Sequence, residues 1–351
     1  VENKQIITVK ELNYSVKKRS YKGCRSYFRP NFNEVSILKD INLQVLAGHI
    51  IGLVGPEGAG KTTLVEIIAG YIKPSQGTIE IESQLGTQTI QPHPAIKLIS
   101  KTHSNLWPEL SAREVLPLVR EKYRIPQIEL TDATNEIVEL LGITDVIKTQ
   151  SRKLSLANKL KCELLIALLA NPEIIIIDGI FDEIDTASHR KLYELLSLIQ
   201  NHWQLAIIIT THHIETINNL CQQIVLMDSG KVIYQGDLPE LIQTYANYQY
   251  MDIMFERTID TDMLANLGKV IEGEGLYVRL RIARDNKGPI TSELLQKFPV
   301  KDIQVNEPPI TEIAENVTRP VSENVSELIS LQPEQPIDAT PAESQVAETI
   351  E

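Results

Sequence analysis

Apolar positions along the chain fall into two periods, and the switches between them predict a mixed α/β architecture. Ile6–Val16 alternates apolar and polar residues and reads as a strand, and Ile37–Val45 reads as another. His49-Ile50-Ile51-Gly52-Leu53-Val54, Ile174–Ile177 and residues 204–210 are apolar runs that predict buried strands. Leu64–Ala69 and residues 187–200 carry helical spacing, as do Leu156, Leu160, Leu164, Leu165 and Leu168 within Ser155–Ala170. Pro74-Ser75-Gln76-Gly77 is a turn before a strand at Thr78–Ile81. Ser111 stands three residues before Glu114, the capping-box spacing, so a helix starts there. Thr131 or Asp132 opens a further helix that Gly142 ends. Residues 221–235 form a short two-stranded ending. Beyond about residue 248 a small second unit holds a strand at Tyr277–Ile282, a helix at Thr291–Phe298 and a strand at Lys301–Val305.

The chemistry concentrates between the first buried strand and the helix that follows it. Gly55-Pro56-Glu57-Gly58-Ala59-Gly60-Lys61-Thr62-Thr63 fits G-x-x-x-x-G-K-[ST] without a gap, in strand–loop–helix context. Three glycines let successive backbone N–H groups turn inward as an anion nest. The helix N-terminus adds further donors and its dipole. Lys61 is placed for the β- and γ-phosphates of a nucleoside triphosphate, Thr62 for Mg²⁺, and Thr63 for the α-phosphate side. The carboxylate of Glu57, beside a polyanion, is expected to face solvent.

Composition narrows the setting. The formal net charge is −12 over 351 residues. No basic domain appears, which argues against nucleic acid as the main partner. From Thr318 onward seven acidic residues face one basic residue, Arg319, in a stretch rich in Pro, Gln and Ser. That stretch is expected to be a disordered acidic tail. No apolar stretch approaches the roughly 20 residues of a bilayer span. Cys24, Cys162 and Cys221 lack metal or redox spacing and are expected as reduced packing thiols. A basic, aromatic stretch, Lys17–Arg29, reads as a solvated loop, with contact to an anionic membrane surface as the alternative.

The phosphate loop, the helical insertion, four isoleucines ending in Asp178, and Thr210-Thr211-His212 occur in an order that resembles the ATP-binding subunits of ABC transporters. The resemblance spans roughly residues 5–245. Asn105–Glu114 (NLWPELSARE) resembles the "LYPELTVRE" segment of bacterial exporters that work with a separate permease. Val305–Ile313 is similar, more weakly, to the "EPSLEDVF" element that closes their C-terminal subdomain. The resemblance implies an α/β P-loop NTPase core of ABC type over 1–247, with an antiparallel β subdomain and a helical insertion at about 108–171. A small α/β C-terminal subdomain at 248–317 and the tail at 318–351 complete the expected organisation.

The resemblance also assigns roles. Asp178 matches the aspartate that holds Mg²⁺, usually through water, and His212 matches the switch histidine at the γ-phosphate, with His213 adjacent. Asp185 matches the D-loop aspartate of the dimer interface. Ser155 keeps the signature hydroxyl that reaches the nucleotide of the other subunit. An adenine-stacking aromatic is expected near Val16, where Tyr14, Tyr21 and Phe28 are the candidates and surface packing is the alternative for each. Three positions depart from the family pattern. Gly179 stands where a glutamate polarises the attacking water. Thr102 replaces the Q-loop glutamine. Leu154-Ser155-Leu156-Ala157-Asn158 replaces LSGGQ. Asp182 and Glu183 are nearby carboxylates for the missing glutamate.

These features imply a subunit that binds ATP and Mg²⁺, pairs as a homo- or heterodimer, and docks a membrane permease through the surface near Thr102 and Ser111–Tyr123. It would lie peripherally on the cytoplasmic face of the membrane. Three readings follow: an exporter subunit with slow or asymmetric hydrolysis, a regulatory or assembly subunit that has abandoned turnover, and a polysaccharide-exporter subunit.

Overall fold

Five strands run parallel because each is apolar enough to be buried on both faces. In the computed structural model, which describes residues 5–20, 31–83, 86–87, 93–212 and 214–318, the chain divides into two units. One runs to Ala246 and resumes at Pro309; the other is Asn247–Pro308. In the first, β3 (Ile50–Val54), β6 (Ile96–Ser100), β7 (Ile174–Asp178), β8 (Ala206–Thr211), β9 (Gln223–Asp228) and β10 (Lys231–Gly236) form a sheet ordered β10-β9-β3-β8-β7-β6. Only the β9–β10 pair is antiparallel. Every residue of β3, β7 and β8 is buried, the burial that parallel sheets with covered faces require.

A second, antiparallel sheet ordered β2-β1-β4-β5 covers one face. It contains the long pair β1 (Gln5–Ser20) and β2 (Asn31–Leu46), then β4 (Gln76–Ser83) and β5 (Gly86–Thr87). Ile7, Leu12, Leu38 and Ile41 pack from it onto Ile51, Leu53 and Ile176, with α1 (Lys61–Ile68) in the same cluster. The other face packs under α2 (Ala112–Tyr123), α3 (Gln127–Leu141), α4 (Leu156–Leu169) and α5 (Thr186–Trp203).

The predicted capping box is present: Ser111 N–H donates to Glu114 Oε2 at 2.8 Å, and Glu114 N–H to Ser111 Oγ at 3.4 Å. Gly142 caps α3 in the left-handed region at φ 60°. α3 starts at Gln127, earlier than Thr131 or Asp132, because Pro126 at the N-cap is already compatible with helix entry. Leu156, counted with the apolar face of α4, is 40% exposed. Glu163 on α4 is buried and accepts from the N–H groups of Asn105 (3.0 Å) and Leu106 (3.3 Å) and from Ser104 Oγ, which ties α4 to the segment leading into α2. Burial raises the Cys162 thiol to about 11 and the Cys221 thiol to about 12, consistent with packing roles.

Helices α6 (Ile214–Leu220) and α7 (Leu238–Tyr245) follow β8 and β10. The segment 309–317, expected in the second domain, belongs to the first unit. There α9 (Ile310–Thr318) places Ile313 and Ala314 against Leu226, Leu238 and Leu241. The apolar spacing of this short helix matches a groove made by residues distant in sequence.

The second unit has four antiparallel strands, β11 (Tyr248–Phe255), β12 (Lys269–Glu274), β13 (Tyr277–Ala283) and β14 (Val300–Asn306), in the order β12-β13-β11-β14. Helix α8 (Lys287–Lys297) begins a turn before the expected Thr291. Ile290 and Leu294 of α8 join Met251, Ile253 and Leu280 in one core. The Lys17–Arg29 stretch from Tyr21 onward, Cys24, His213 and the tail beyond Thr318 lie outside the described residues. No helix among the described residues is long and apolar enough to cross a membrane.

Asp252 on β11 joins the strands of this unit electrostatically. Its carboxylate accepts from Arg279 Nε at 2.6 Å, Arg279 Nη2 at 3.1 Å, Tyr277 Oη at 2.7 Å and Asn306 Nδ2 at 2.7 Å. The Arg279 hydrogen bond is the largest cause holding Asp252 below the ordinary carboxylate range, against a smaller opposing effect of burial. A carboxylate depressed on folding stabilises above its unfolded value, near 4, and loses that contribution as pH falls through the lower folded value. Asp252→Asn is therefore expected to destabilise by about 1–2 kcal/mol at neutral pH. The gap from wild type should close as pH drops below about 4, read by unfolding of both proteins across pH.

Candidate functional site

The parallel register sets three strand ends side by side. β3 pairs Leu53 with Thr210 and Val54 with Thr211, and β7 pairs Asp178 with the same Thr210. Loops leaving β3, β7 and β8 therefore open at one sheet edge, where α/β proteins bind ligands. They line a cleft of ≈ 780 Å³ that holds the loop 56–63, Lys101, Asp178, Gly179, Asp182, Glu183, Thr210 and His212.

The phosphate loop enters it through glycine geometry. Gly55 has φ 150°, and a Cβ there would lie 2.1 Å from Met227 O, so no side chain fits. Gly60 is the N-cap of α1 in the left-handed conformation. Glu57 and Gly58 are exposed, and Ala59 is buried. Lys61 Nζ donates to Gly55 O at 2.7 Å and Pro56 O at 2.9 Å, which fixes the ammonium at the loop centre. Burial lowers its pKa from the ordinary value, while Asp182, Asp178 and Glu57 oppose that shift. Thr63 lines the cleft beside it.

At the end of β7, Asp178 is buried and accepts from Thr210 Oγ1 at 2.5 Å and Thr62 Oγ1 at 3.3 Å. Thr210 in turn accepts from Gly179 N–H at 2.8 Å. Thr62 and Asp178 thus present two hard oxygens to one point of the cleft, a donor set suited to Mg²⁺ that keeps waters and phosphate oxygens in its remaining positions. No group of three or more His, Cys, Asp or Glu side chains able to enclose a metal occurs among the described residues. The cation a nucleotide brings with it therefore fits these residues better than a protein-enclosed one.

Gly179 has φ +65°, a left-handed backbone, and open space where a Cβ would project. Asp182, three residues on, accepts from Thr211 Oγ1 at 2.5 Å and pairs with His212 Nδ1 at 2.9 Å. Glu183 pairs with Lys101. Sequence reading placed His212 and Asp178 in the site but missed Thr210 and Lys101 as lining residues. Thr210 precedes the histidine, and its register with Asp178 is the signal that it faces the same cleft.

Three sequence candidates lie elsewhere. Ser155 is the N-cap of α4 and accepts from Asn158 N–H at 3.3 Å. Asp185 caps α5, accepting from Ser188 N–H at 3.0 Å and Ser188 Oγ at 2.9 Å; the Ser188 hydroxyl is the main cause of its lowered pKa. Thr102 is exposed, its hydroxyl 3.2 Å from Ser100 Oγ. None of the three lines the cleft. Tyr14 is half-buried and packs against the core between the two sheets, whereas Val16 is 39% exposed. Tyr21 and Phe28 lie outside the described residues.

Comparison with known proteins bears on the family and the fold. The ABC transporter family model matches residues 38–181, and a model of the EvrA-like ABC transporter C-terminal domain matches residues 247–306. A methionine import ATP-binding protein, MetN, of Protochlamydia amoebophila is 29% identical over 77% of this chain and 79% of its own length. MetN 3 of Pectobacterium atrosepticum is 27% identical over 78% of this chain and 83% of its own. Among solved structures, cbiO1 of Clostridium perfringens, part of the ABC transporter complex cbiONQ, superposes with TM-score 0.56 at 22% identity over 68% of this chain and 91% of that one. A dimeric bacterial ABC transporter cassette gives 0.54 at 22% identity, over 66% and 99%. The fold is the mixed α/β ABC ATPase fold.

Lys61→Ala should weaken ATP binding about 10–100-fold, the loss of a charge-assisted contact of about 1.5–3 kcal/mol, with the unfolding midpoint nearly unchanged. Equilibrium titration with a fluorescent nucleotide, beside a thermal melt, measures both.

Proposed function

We propose that this chain, an ATP-binding subunit of ABC transporter type, couples nucleotide binding to a shape change in a permease and turns ATP over slowly or asymmetrically. The observation that carries the reading is the pairing of a complete phosphate loop with Asp178 and His212 in one cleft, while Gly179 offers no carboxylate beside Asp178. The backbone N–H groups of 57–63 and Lys61 bind the phosphates. Thr62 and Asp178 hold the Mg²⁺, which supplies charge neutralisation when bound. His212 faces the γ-phosphate. Asp182 is the carboxylate best placed to help orient water, although Thr211 and His212 already engage it. A positioned general base is worth about 10²–10⁴ in rate, so turnover is slow.

Subunits of this type dimerise and work with membrane permease components. In a head-to-tail pair, Ser155 reaches the nucleotide on the other chain and Asp185 supports the interface. Gly179 and the altered Leu156-Ala157 then fall in different composite sites. A homodimer has two impaired sites, and a heterodimer with a regular partner has each defect in a separate one. The chain thereby sits peripherally at the cytoplasmic face of the membrane. Export is our reading of direction and rests on the 105–114 and 305–313 segments. The named relatives are import proteins, and the permease decides. Gly179 together with the altered signature also favours a second reading, a binding-only regulatory subunit. Robust ATP turnover that disappears in Lys61→Ala excludes that second reading.

Gly179→Glu tests the site itself. Restoring the carboxylate should raise ATP turnover of the permease complex at least about 10-fold while leaving nucleotide affinity within about twofold. The left-handed backbone should cost about 1–2 kcal/mol of stability. Turnover unchanged by the substitution would place the rate limit elsewhere. Isolation from native membranes with ATP and Mg²⁺ identifies the permease, and its absence from the purified material contradicts the coupling role.

A further inference from the structure

The cleft that holds the phosphate loop has apolar wall that phosphate and metal chemistry does not use. Among the described residues, its charged and hydroxyl side chains come from the loop 57–63, from Lys101 and from the segments around Asp178, Asp182 and Thr210–His212. Ile37 and Pro309 line it as well, and neither side chain can serve a phosphate or a cation. Ile37 belongs to β2, before the phosphate loop. Pro309 stands where the chain returns from the second unit to the first.

Both residues are held in place by their surroundings. Tyr14 pairs with Leu38 and Ser15 with Ser36, which leaves Ile37 as the extra residue of a β-bulge. A bulge bends its strand and re-aims a side chain, and bulges are common beside active sites. Ile37 is half-buried and packs against the cluster that contains Leu64 of α1. Its backbone is fixed relative to the loop through the turn between β9 and β10. Gly230 N–H donates to Ala59 O at 3.2 Å, and Lys39 N–H donates to Gly230 O at 2.8 Å. A Cβ on Gly230 would come within 2.1 Å of Ile37 O, so the approach is close. Pro309 is exposed, and its carbonyl accepts from Glu312 N–H at 3.0 Å and Ile313 N–H at 3.2 Å where α9 opens. Ile313 and Ala314 anchor that helix in the core, and Asn316 Nδ2 donates to Tyr245 O at 3.0 Å. The Pro309 ring therefore has a fixed place on the cleft wall and a free surface.

The next step rests on the function proposed above, in which the phosphates lie along 57–63 and the base projects beyond Thr63. Ligand sites hold the flat, weakly polar part of a ligand on apolar wall. Neither Tyr14 nor Val16 is among the described residues that line the cleft. We infer that Ile37 and Pro309 seat the nucleobase, aliphatic surface taking the place of a stacking aromatic. Contact is by burial of the ring faces, which needs no hydrogen-bonding group from either residue. The segment that brings the chain back from the second unit is thereby part of the nucleotide site, and α9 holds it there.

Calorimetric titration of the full chain with Mg²⁺–ATP and with Mg²⁺–tripolyphosphate, which has the phosphates and no base, tests this. Ile37→Ala and Pro309→Ala should each weaken ATP about 3–10-fold through lost apolar burial and leave tripolyphosphate within about twofold. Pro309 is exposed, so if Ile37→Ala lowers the melting midpoint, the Pro309 variants decide. Pro309→Trp should tighten ATP at least about 3-fold by stacking, and ATP but not tripolyphosphate should quench the added indole emission. Equal loss of ATP and tripolyphosphate binding in the alanine variants overturns the inference, as does ATP binding unchanged in both Pro309 variants. Failure of the proposed function reads differently: the wild type then binds neither ligand, or Lys61→Ala leaves both affinities unchanged.

Discussion

Thr210 sits on β8 between β3 and β7, and the site depends on that placement. It pairs with Leu53 on one side and with Asp178 on the other. Its hydroxyl donates to Asp178 and accepts from the Gly179 N–H. One buried side chain therefore satisfies the aspartate, orients it toward Thr62 and anchors the turn after β7. A buried carboxylate is costly without such hydrogen-bond partners. A slip of one residue in β7 would send Asp178 to the opposite face and separate it from the phosphate loop.

The same end of the sheet carries the proposed separation of binding from turnover. Binding rests on backbone donors, Lys61 and the Thr62–Asp178 pair, all supplied by rigid elements. Water activation needs a carboxylate at a position where the chain has Gly179 with a left-handed backbone and open space in front of it. Asp182 has the right chemistry but is committed to Thr211 and His212. On the proposed reading, the cleft has strong reasons to hold a nucleotide and weak means to consume it.

Periodicity made much of this legible. The buried runs at 50–54 and 174–177, the cap at Ser111 and the nine-residue loop all rest on local rules, and each stands where those rules put it. Short or atypical elements were missed. β6, with a lysine inside an apolar run, passed unread, as did β11, β12, α6, α7 and α9. α9 illustrates the reason: its apolar stripe has meaning only against β9, β10 and α7, which are far away in sequence. Leu156 shows the converse, a residue in period that the fold leaves exposed because it opens α4 and burial of that helix begins one turn later, at Leu160.

By itself the sequence determined that a phosphate cradle follows a buried strand and that Asp178 ends another. Those are properties of neighbouring residues and of steric rules acting over a few bonds. Only tertiary structure decided that Thr210 bridges Asp178 and Gly179, that Asp182 is spent on His212, and that Glu163 ties α4 to the 104–106 segment. Each of these joins residues from different elements. Strand register and helix packing set such distances, and no local pattern encodes them.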